Sequence, residues 1–529
     1  MLAGCAAFYT EAAAKTPQQT ADDMRLGWNL GNTLDSCGGG SNPEKAETYW
    51  VHIKTDKQMI DDIKAQGFNT IRVPVTWNEK LTDGVINADW LARVKEVVDY
   101  GIDNGMYVIL NVHHEDGNIV PTYAKADSSK QYLCGLWSQI APYFKDYDEH
   151  LIFETMNEPR IVGDESEWTN GTEETCSVIN RLNRAALDTI RHSGGRNATR
   201  LVMCPGNAAA IPAMAGFELP DDENVALSVH YYRPYNFAMN AGEGSTGKWG
   251  SDEDKAVLDK ELKRLYDRFV SKGTPVIIGE MGATDKLNTA DREAWARFFA
   301  QTAKSYGITC VVWDNNVITT DVSDAKEHYG LYNRASHTWY YPGIAKALSE
   351  GVDAAVRYTG GSSDPYISIL YSGGSITLSN WGNYAVTEDM PYLDEGYYIT
   401  VKYSGEVPQL VLQKYDPNRE WNTLDPDKTE NGIAYFGCKS IKNACKTAYE
   451  NQNKIYVSAR SGSTAITEVC VNAPHKAGDI SNNGRVGALD ARLILLDTSN
   501  IKKLAVFAGF AEIDGNNTVD LLDVIKALQ

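Results

Sequence analysis

The sequence predicts an α/β fold: a closed (β/α)8 barrel, then an antiparallel β-sandwich and a small α-helical module. Three observations lead to this prediction. Short apolar runs recur eight times within residues 24–350, amphipathic segments separate these runs, and the apolar pattern changes to alternation after residue 365. The chain has 529 residues, which is longer than a single hydrophobic core usually reaches, so several domains are expected.

The eight apolar runs show little alternation, which is typical of strands buried on both faces. Helical patterns such as KQMIDDIKAQG and WLARVKEVVDYGIDNG stand between the runs and end at a glycine that suits a helix C-terminus. Eight such units fit one closed parallel barrel. An open doubly wound sheet is the alternative, but no glycine-rich phosphate turn follows the first run. The runs lie at residues 26–32, 70–75, 107–112, 151–157, 201–206, 225–232, 275–282 and 310–315.

Changes in composition mark the remaining boundaries. Glycine and serine become frequent after the barrel, as in a linker. Short alternating strands with glycine-containing turns follow, which predicts the β-sandwich. The fragment Leu2-Ala3-Gly4-Cys5 resembles the end of a lipoprotein signal, with a flexible tail as the alternative. The predicted parts are an N-terminal tail at 1–23, the barrel at 24–350, a linker at 351–365, the sandwich at 366–473 and the helical module at 477–529.

Charge and composition exclude several classes of function. The formal net charge of −20 argues against a nucleic-acid or anionic-membrane partner, because either one requires a basic face. No apolar run approaches the roughly 18 residues of a transmembrane helix. The nine cysteines form no CxxC pair, so neither a zinc ribbon nor a dense disulfide framework is indicated.

Polar and aromatic residues cluster at the ends of the predicted barrel strands, where barrels place their active sites. Glu158 follows the fourth run and Glu280 ends the seventh. A glutamate at such a position is costly to bury unless it has partners or a function. One such residue is unremarkable, but residues from six strands converge on the same face. The others are Arg72, His113, His114, Asn157, His230, Tyr232 and Trp313.

Two glutamates without a metal triad, a nucleophilic serine motif or a cofactor loop suit glycoside hydrolysis. That chemistry requires a proton donor at the leaving oxygen and a carboxylate at the anomeric carbon. A flat tryptophan and several hydrogen-bonding groups match the needs of a sugar ring. No cofactor is expected for this reaction.

Seven pieces of the sequence are similar to motifs of a known family: GWNLGNTLD (27–35), IRVPVTW (71–77), VHH (112–114), NEP (157–159), HYY (230–232), GE (279–280) and Trp313. They resemble the motifs of glycoside hydrolase family 5 cellulases, and the resemblance covers residues 24–349. The opening motif, with the paired histidines, resembles the fourth subfamily, which includes endoglucanases, xyloglucanases and broad β-glucanases. The resemblance implies that Glu158 is the general acid/base and Glu280 the nucleophile of a retaining reaction. It further implies that Asn157 holds the sugar 2-hydroxyl, and that Arg72 and Tyr232 orient Glu280.

For the remaining positions, the resemblance implies that His113 and His114 line the sugar site and that Trp313 stacks beneath the ring. Glu158 must begin protonated near neutral pH, and His230 is the neighbour expected to provide for this.

The last fifty residues contain two similar twelve-residue loops, DISNNGRVGALD and EIDGNNTVDLLD, each followed by an apolar helical pattern. Their oxygen-bearing side chains match the spacing of EF-hand calcium loops. The segment resembles a dockerin, which implies a cohesin partner and Ca²⁺. Ser481 and Glu512 depart from the usual ligands, and Asn517 replaces the usual glycine. The candidate ligands are Asp479, Ser481, Asn483, Asp490, Glu512, Asp514, Asn516 and Asp523.

The sequence thus predicts a retaining endo-β-1,4-glucanase that is extracellular and attached to a cellulosome or cell surface, with a monomeric catalytic unit. A xyloglucanase or mixed-linkage β-glucanase is the alternative within the fold. A non-catalytic polysaccharide-binding subunit is the alternative from another class. In the sandwich, Trp381 and Trp421 are candidates for a carbohydrate-binding surface, or else belong to the core of a spacer.

Overall fold

A computed structural model gives the architecture of two compact units, and the chain passes from the first to the second after Tyr358. Within the described part of the chain, no helix combines the length and apolar character needed to cross a membrane. The structure describes residues 15–168, 171–211, 216–319, 321, 327–358, 367–379, 381–386, 393, 396–414, 421–445, 452–460 and 462–472.

The first unit is a closed barrel of eight parallel strands, and each of the eight predicted apolar runs contributes one of them. The barrel closes where the first strand pairs with the last, Gly27 opposite Val311. All but one of the strand residues are buried, as their continuous apolar character predicts. The strands are β1 (Gly27–Asn29), β2 (Thr70–Val73), β3 (Tyr107–Asn111), β4 (Leu151–Glu154), β5 (Val202–Ala210), β6 (Val225–Tyr231), β7 (Val276–Met281) and β8 (Thr309–Val312).

Helices lie between the strands. The third begins at the N-cap Asp56 and is followed by Gly67, which has φ 103°, while the fourth begins at Asn87 and is followed by Gly105, with φ 62°. Both predicted glycine stops are therefore confirmed. The helices are α1 (Pro17–Asp23), α2 (Pro43–Glu47), α3 (Lys57–Ala65), α4 (Ala88–Asp103), α5 (Ala126–Tyr143), α6 (Glu173–His192), α7 (Tyr235–Ala238), α8 (Asp252–Arg268), α9 (Thr289–Ser305) and α10 (Pro342–Ala354). Two small hairpins are Leu81–Thr82 with Val85–Ile86, and Tyr332–Asn333 with Thr338–Trp339.

Both predicted ends of the barrel need correction. Residues 17–23 form α1 and are not a flexible tail, because Thr16 caps the helix and Ala21 is buried in an apolar cluster with residues of the barrel strands. At the other end, α10 continues to Ala354, into the predicted linker, since Gly351 packs tightly against the backbone of Arg297 in α9. Residues 1–14, including the fragment Leu2–Cys5, lie outside the described residues.

Strand β7 contains one residue more than its neighbours between matched positions. Val229 of β6 pairs with Ile278, but the next residue, His230, pairs with Glu280. On the other side, Cys310 pairs with Ile278 and Val312 with Met281. This β-bulge at Gly279 interrupts the alternation of the strand and turns the Glu280 side chain into the barrel.

The second unit contains two antiparallel sheets. Its five longest strands overlap the five alternating segments of the sequence, at 366–380, 396–405, 408–415, 454–462 and 465–471. Both sheets contribute to one apolar cluster, as in a sandwich. The five-stranded sheet has the order β9-β17-β11-β15-β14, and the four-stranded sheet β10-β16-β12-β13, with one helix, α11 (Cys438–Ala444). The strands are β9 (Ile367–Ser379), β10 (Asn383–Ala385), β11 (Tyr398–Gly405), β12 (Gln409–Lys414), β13 (Trp421–Leu424), β14 (Lys428–Glu430), β15 (Ile433–Gly437), β16 (Gln452–Ser458) and β17 (Ser463–Asn472).

The two tryptophans singled out in this unit are both exposed, so neither belongs to its core. Trp381 is 65% exposed in the turn after β9, and Trp421 is 45% exposed on β13, where its ring lies 5.2 Å from that of Tyr456. The predicted calcium ligands, residues 479–523, lie outside the described residues.

Candidate active site

The carboxyl ends of the barrel strands bring the predicted polar residues together around one buried guanidinium. Arg72 of β2 is completely buried. Its Nη1 donates to Glu280 Oε1 at 2.8 Å, and its Nη2 donates to Asn157 Oδ1 at 2.7 Å. Burial disfavours the charge of Arg72, but Glu154 and Glu280 outweigh this effect, so the pKa of the guanidinium is raised. Arg72 thus carries a fixed positive charge that orients two of the predicted site residues.

Glu280 is held on both carboxylate oxygens. Tyr232, which follows β6, donates its hydroxyl to Glu280 Oε2 at 2.8 Å, while Arg72 binds Oε1. The side chain of Glu280 is nearly buried, with 6% exposure. Its position, ionic partner and hydrogen bonds therefore fix a carboxylate at the end of β7, as the sequence predicts.

Glu158 forms a pair with His230 of β6. His230 Nδ1 lies 2.7 Å from Glu158 Oε1. Burial raises the pKa of Glu158, but the hydrogen bond and charge of His230 outweigh burial and leave this pKa below its usual value. Burial lowers the pKa of His230, yet the charge of Glu280 and the bond to Glu158 raise it overall. The prediction that Glu158 itself begins protonated is therefore corrected: the pair holds its proton mainly on His230.

The two glutamates lie close together. A carboxylate oxygen of Glu158 and one of Glu280 are within 4.8 Å of each other. Glycosidases that retain anomeric configuration separate their carboxyl groups by about 5 to 5.5 Å, whereas inverting enzymes leave about 6.5 to 9.5 Å for a water. Two oxygens within this limit favour the retaining arrangement over the inverting one.

His113, His114 and Trp313 form one wall of the site. The rings of His113 and Trp313 are parallel within 1°, with centroids 6.1 Å apart, and His114 meets His113 edge-on at 4.4 Å. Burial, together with the charges of His114 and Arg72, holds the pKa of His113 well below its usual value. Asn111 Nδ2 lies 3.0 Å from His113 Nδ1. A neutral His113 that accepts this bond keeps its proton on Nε2.

Four buried polar residues that the sequence did not single out lie beneath these groups. Each stands inside or at the end of an apolar strand, and a polar residue there is the only signal that could have revealed them. Asn29 Oδ1 accepts from Arg72 at 3.0 Å, and Glu154 Oε2 accepts from Arg72 and Asn111 at 2.8 and 2.9 Å. These residues are Asn29, Asn111, Glu154 and Ser228.

Two exposed tryptophans on barrel loops were also missed. Trp50, 38% exposed, meets the edge of His114 with ring centroids 5.8 Å apart. Trp168, 58% exposed, covers the guanidinium of Arg160 at 4.7 Å, and Arg160 Nη1 donates to the carbonyl oxygen of Glu158 at 2.9 Å. Because these tryptophans lie on loops and are not regularly spaced, the sequence alone does not indicate that they come near the site.

Among the described residues, two groups of three side chains bring metal-ligand atoms within 4.8 Å of one another. One group is Asp35, His113 and His114, but the carboxylate oxygens of Asp35 already accept the backbone N–H groups of Asn32 and Thr33. The other group is Glu158, His230 and Glu280 itself. The ligand atoms of this second group already contact side chains of the site: Glu158 pairs with His230, and Glu280 accepts from Arg72 and Tyr232.

A parallel (β/α)8 barrel with two closely spaced carboxylates at the ends of its fourth and seventh strands defines a glycoside hydrolase. The sequence matches the cellulase family, glycosyl hydrolase family 5, over residues 34–318. The chain belongs to this family. The endoglucanases of this family need no cofactor for catalysis.

Individual relatives agree. The chain is 47% identical over 347 residues to endoglucanase A of Clostridium longisporum, a match that covers 64% of this chain and 66% of the relative. A GH5-4 broad specificity endoglucanase from the same organism superposes with a TM-score of 0.63 and 45% identity, over 65% of this chain and all of the other. A GH5-4 broad specificity endoglucanase from Ruminococcus champanellensis with bound cellotriose has a TM-score of 0.61 and 42% identity, over 64% of this chain and all of the other.

Proposed function

We propose that this chain is a retaining endo-β-1,4-glucanase that cuts internal bonds of cellulose-type β-glucans. The observation that carries the proposal is the separation of Glu158 and Glu280, whose nearest carboxylate oxygens lie within 4.8 Å. So close a pair of oxygens favours the shorter, retaining separation of the carboxyl groups, in which one carboxylate attacks the sugar directly.

In this mechanism, Glu280 attacks the anomeric carbon while Glu158 donates a proton to the leaving oxygen. The proton reaches Glu158 from His230 along their 2.7 Å hydrogen bond. A water then hydrolyses the glycosyl-enzyme with Glu158 as the base, and Glu280 leaves as a carboxylate. Asn157 binds the sugar 2-hydroxyl, while Tyr232 and Arg72 hold Glu280 in position. His113, His114 and Trp313 line the sugar site.

The test is release of reducing ends from carboxymethylcellulose, xyloglucan and mixed-linkage β-glucan. The parent chain is expected to cut at least one of them, and Glu280→Ala none. Glu158→Ala is expected to retain activity only on substrates with activated leaving groups, such as dinitrophenyl β-cellobioside. Glu253→Ala is a matched control because Glu253 is exposed in the first turn of α8. Near-parental polysaccharide hydrolysis by either active-site variant would refute the assignment.

A broader substrate range, including xyloglucan and mixed-linkage glucan, is the second candidate. The words "broad specificity" in the names of two similar structures favour it. The exposed rings of Trp50 and Trp168 also favour it, because stacking tolerates differences in linkage and substitution better than hydrogen bonding does. The ranking of the three polysaccharides by kcat/KM decides between these candidates.

We also propose that the second unit binds β-glucan through exposed aromatic residues. Trp421 and Tyr456 lie side by side, and Gln413 Oε1 accepts from Tyr456 OH at 2.9 Å. Retardation of the inactive Glu280→Ala chain in gels containing β-glucan is expected, and adding Trp421→Ala is expected to reduce it. Equal retardation of the two chains would leave the unit as a spacer.

For residues 477–529 we propose a dockerin-like module that binds Ca²⁺ and a cohesin, which would hold the enzyme outside the cell at a cellulosome or cell surface. The support is the repeated pair of twelve-residue loops. Calorimetric titration with Ca²⁺ is expected to show binding to the full chain that is lost from a chain ending at residue 472. Absence of heat from the full chain would exclude the module.

A further inference from the structure

Glu154 is a buried carboxylate directly beneath the proposed catalytic residues. It is the last residue of β4 and is completely buried. Arg72 Nε and Asn111 Nδ2 donate to its Oε2 at 2.8 and 2.9 Å, and Ser228 Oγ donates to its Oε1 at 2.5 Å. The carboxylate accepts all three of these hydrogen bonds, and one of them comes from the charged guanidinium, an arrangement that stabilises a carboxylate.

Arg72 is therefore shared by two carboxylates. Nε and Nη2 face Glu154, at 2.8 Å, and Nη1 faces Glu280, also at 2.8 Å. At Arg72 itself, one positive charge stands against two carboxylates, while the imidazole of His230 lies 3.7 Å from Glu280 Oε2. A buried charge without a partner is strongly unfavourable, whereas a paired one is tolerated. The resting site thus contains one carboxylate more than Arg72 needs.

The excess disappears during the proposed reaction. When Glu280 forms its bond to the anomeric carbon, it becomes a neutral ester and no longer balances Arg72. Arg72 cannot release its proton, because guanidinium remains protonated in proteins. Among the residues that the structure describes, Glu154 is then the carboxylate that still contacts the guanidinium.

We infer that Glu154 is a positioning residue that acts as the counter-ion of Arg72 while Glu280 carries the sugar. This inference rests on the proposed double-displacement function. In the covalent intermediate, the carboxylate of Glu154 balances the charge of the Arg72 guanidinium. It also holds the guanidinium in the position from which Arg72 binds the Glu280 carboxylate again when the sugar is released. It touches neither the sugar nor the reacting atoms.

The test is the balance between formation and breakdown of the glycosyl-enzyme in Glu154→Gln. Without Glu154, Arg72 is paired in the resting enzyme but unpaired in the intermediate. Formation is therefore expected to slow by about ten- to a hundredfold, and breakdown is expected to become faster. Dinitrophenyl 2-deoxy-2-fluoro-β-cellobioside makes both steps measurable, as the rate of inactivation and the rate of recovery after the reagent is removed.

Opposite changes in the two rates separate this role from a structural one, since a loosened site slows both steps. Glu154→Asp preserves the charge and is expected to keep the parental ratio of the two rates. Ser228→Ala removes one hydrogen bond to Glu154 and is expected to change the ratio in the same direction as Glu154→Gln, but less. This second variant provides the test if Glu154→Gln does not fold, as judged by circular dichroism.

Recovery that slows in parallel with inactivation, or a ratio unchanged in both Glu154→Gln and Ser228→Ala, would overturn the inference while the proposed function stands. A parent chain that forms no trapped intermediate would overturn the proposed function, and the inference with it.

Discussion

His230 Nδ1 lies between the two proposed catalytic carboxylates, 2.7 Å from Glu158 Oε1 and 3.7 Å from Glu280 Oε2. The imidazole is therefore hydrogen-bonded to the proposed proton donor, Glu158, and is also close enough to the proposed nucleophile, Glu280, to interact with its charge. Because the proton of the Glu158–His230 pair rests mainly on the imidazole, its loss at high pH belongs to the pair and to neither residue alone.

His230→Asn is expected to move the basic limb of the pH profile of kcat/KM to lower pH. Two sites hold a shared proton more tightly than either one alone, so removing the imidazole leaves Glu158 to retain it unaided. The measurement is kcat/KM on an oligosaccharide from pH 4 to 9. His192→Asn, on the exposed end of α6, is the matched control. A basic limb that stays in place would contradict the shared proton.

Gly31→Ala is expected to impair sugar binding by displacing Trp313. A Cβ atom at residue 31 would lie 2.7 Å from two ring carbons of Trp313 and 2.9 Å from the carbonyl oxygen of Asp314. Such overpacking costs about 1 to 3 kcal/mol, and here the indole has to move. We expect a raised KM for cellotetraose and a lower melting temperature. Gly117→Ala is the control, because Gly117 is also a loop glycine without a positive φ and a Cβ there would meet no atom within 4 Å.

Trp168→Ala is expected to weaken hydrolysis of long substrates. Arg160 joins Trp168 to the backbone of Glu158, so the exposed indole lies on the side of the site where the acid meets the leaving group. Loss of an aromatic contact of about 0.5 to 1.5 kcal/mol corresponds to a roughly 2- to 12-fold fall in kcat/KM on cellopentaose. Hydrolysis of aryl β-cellobioside should change little. Tyr143→Ala, at the end of α5, serves as the control, and equal losses on both substrates would contradict the placement.

Glu115→Gln is expected to flatten the pH dependence of stability. Burial raises the pKa of Glu115 to about 7, although Tyr132 and the backbone of Trp77 and Asn78 donate to it. The folded chain therefore holds this proton more tightly than the unfolded chain does. Its contribution, up to about 4 kcal/mol, is fully present below about pH 4.3 and is lost as the pH rises through about 7.

The measurement for Glu115 is urea unfolding at pH 5 and pH 7.5. The parent should lose more stability over this interval than Glu115→Gln, whose amide can accept from Trp77 and donate to the Tyr132 hydroxyl. Parallel losses in the two proteins would show that other groups control the pH dependence. Glu96→Gln, on the exposed side of α4, is a suitable control.

The barrel was predictable because its strands are buried on both faces and so appear as continuous apolar runs. The same physics predicts polar residues such as Glu158 and Glu280, which stand out at the ends of these runs. Glu154 was missed because it ends the run LIFE only four residues before Glu158, and the sequence offers no measure of which glutamate points where. The partition of a proton between Glu158 and His230 depends on a distance, which is set by two strands far apart in sequence.

Site residues on loops could not be predicted from the sequence either. Trp50 and Trp168 are brought near the site by loops, and the sequence of a loop has no periodic pattern that would show where its side chains lie. Four short strands of the second unit were missed, because three to five residues are too few to show alternation clearly; they are Asn383–Ala385, Trp421–Leu424, Lys428–Glu430 and Ile433–Gly437. The start of the barrel was also misjudged, since α1 is stabilised by a cap at Thr16 and by burial of Ala21 rather than by a long apolar pattern.

The direction of the Glu280 side chain depends on the one extra residue that the bulge adds to β7. If the same residues formed a regular strand without the bulge, Glu280 would face the same way as Ile278, which packs in the apolar cluster between the strands and the helices. A designer who transplanted this site onto an idealised barrel would thus need to copy an irregularity along with the two acids. The extra residue at Gly279 is therefore as necessary to the active site as the glutamate whose direction it sets.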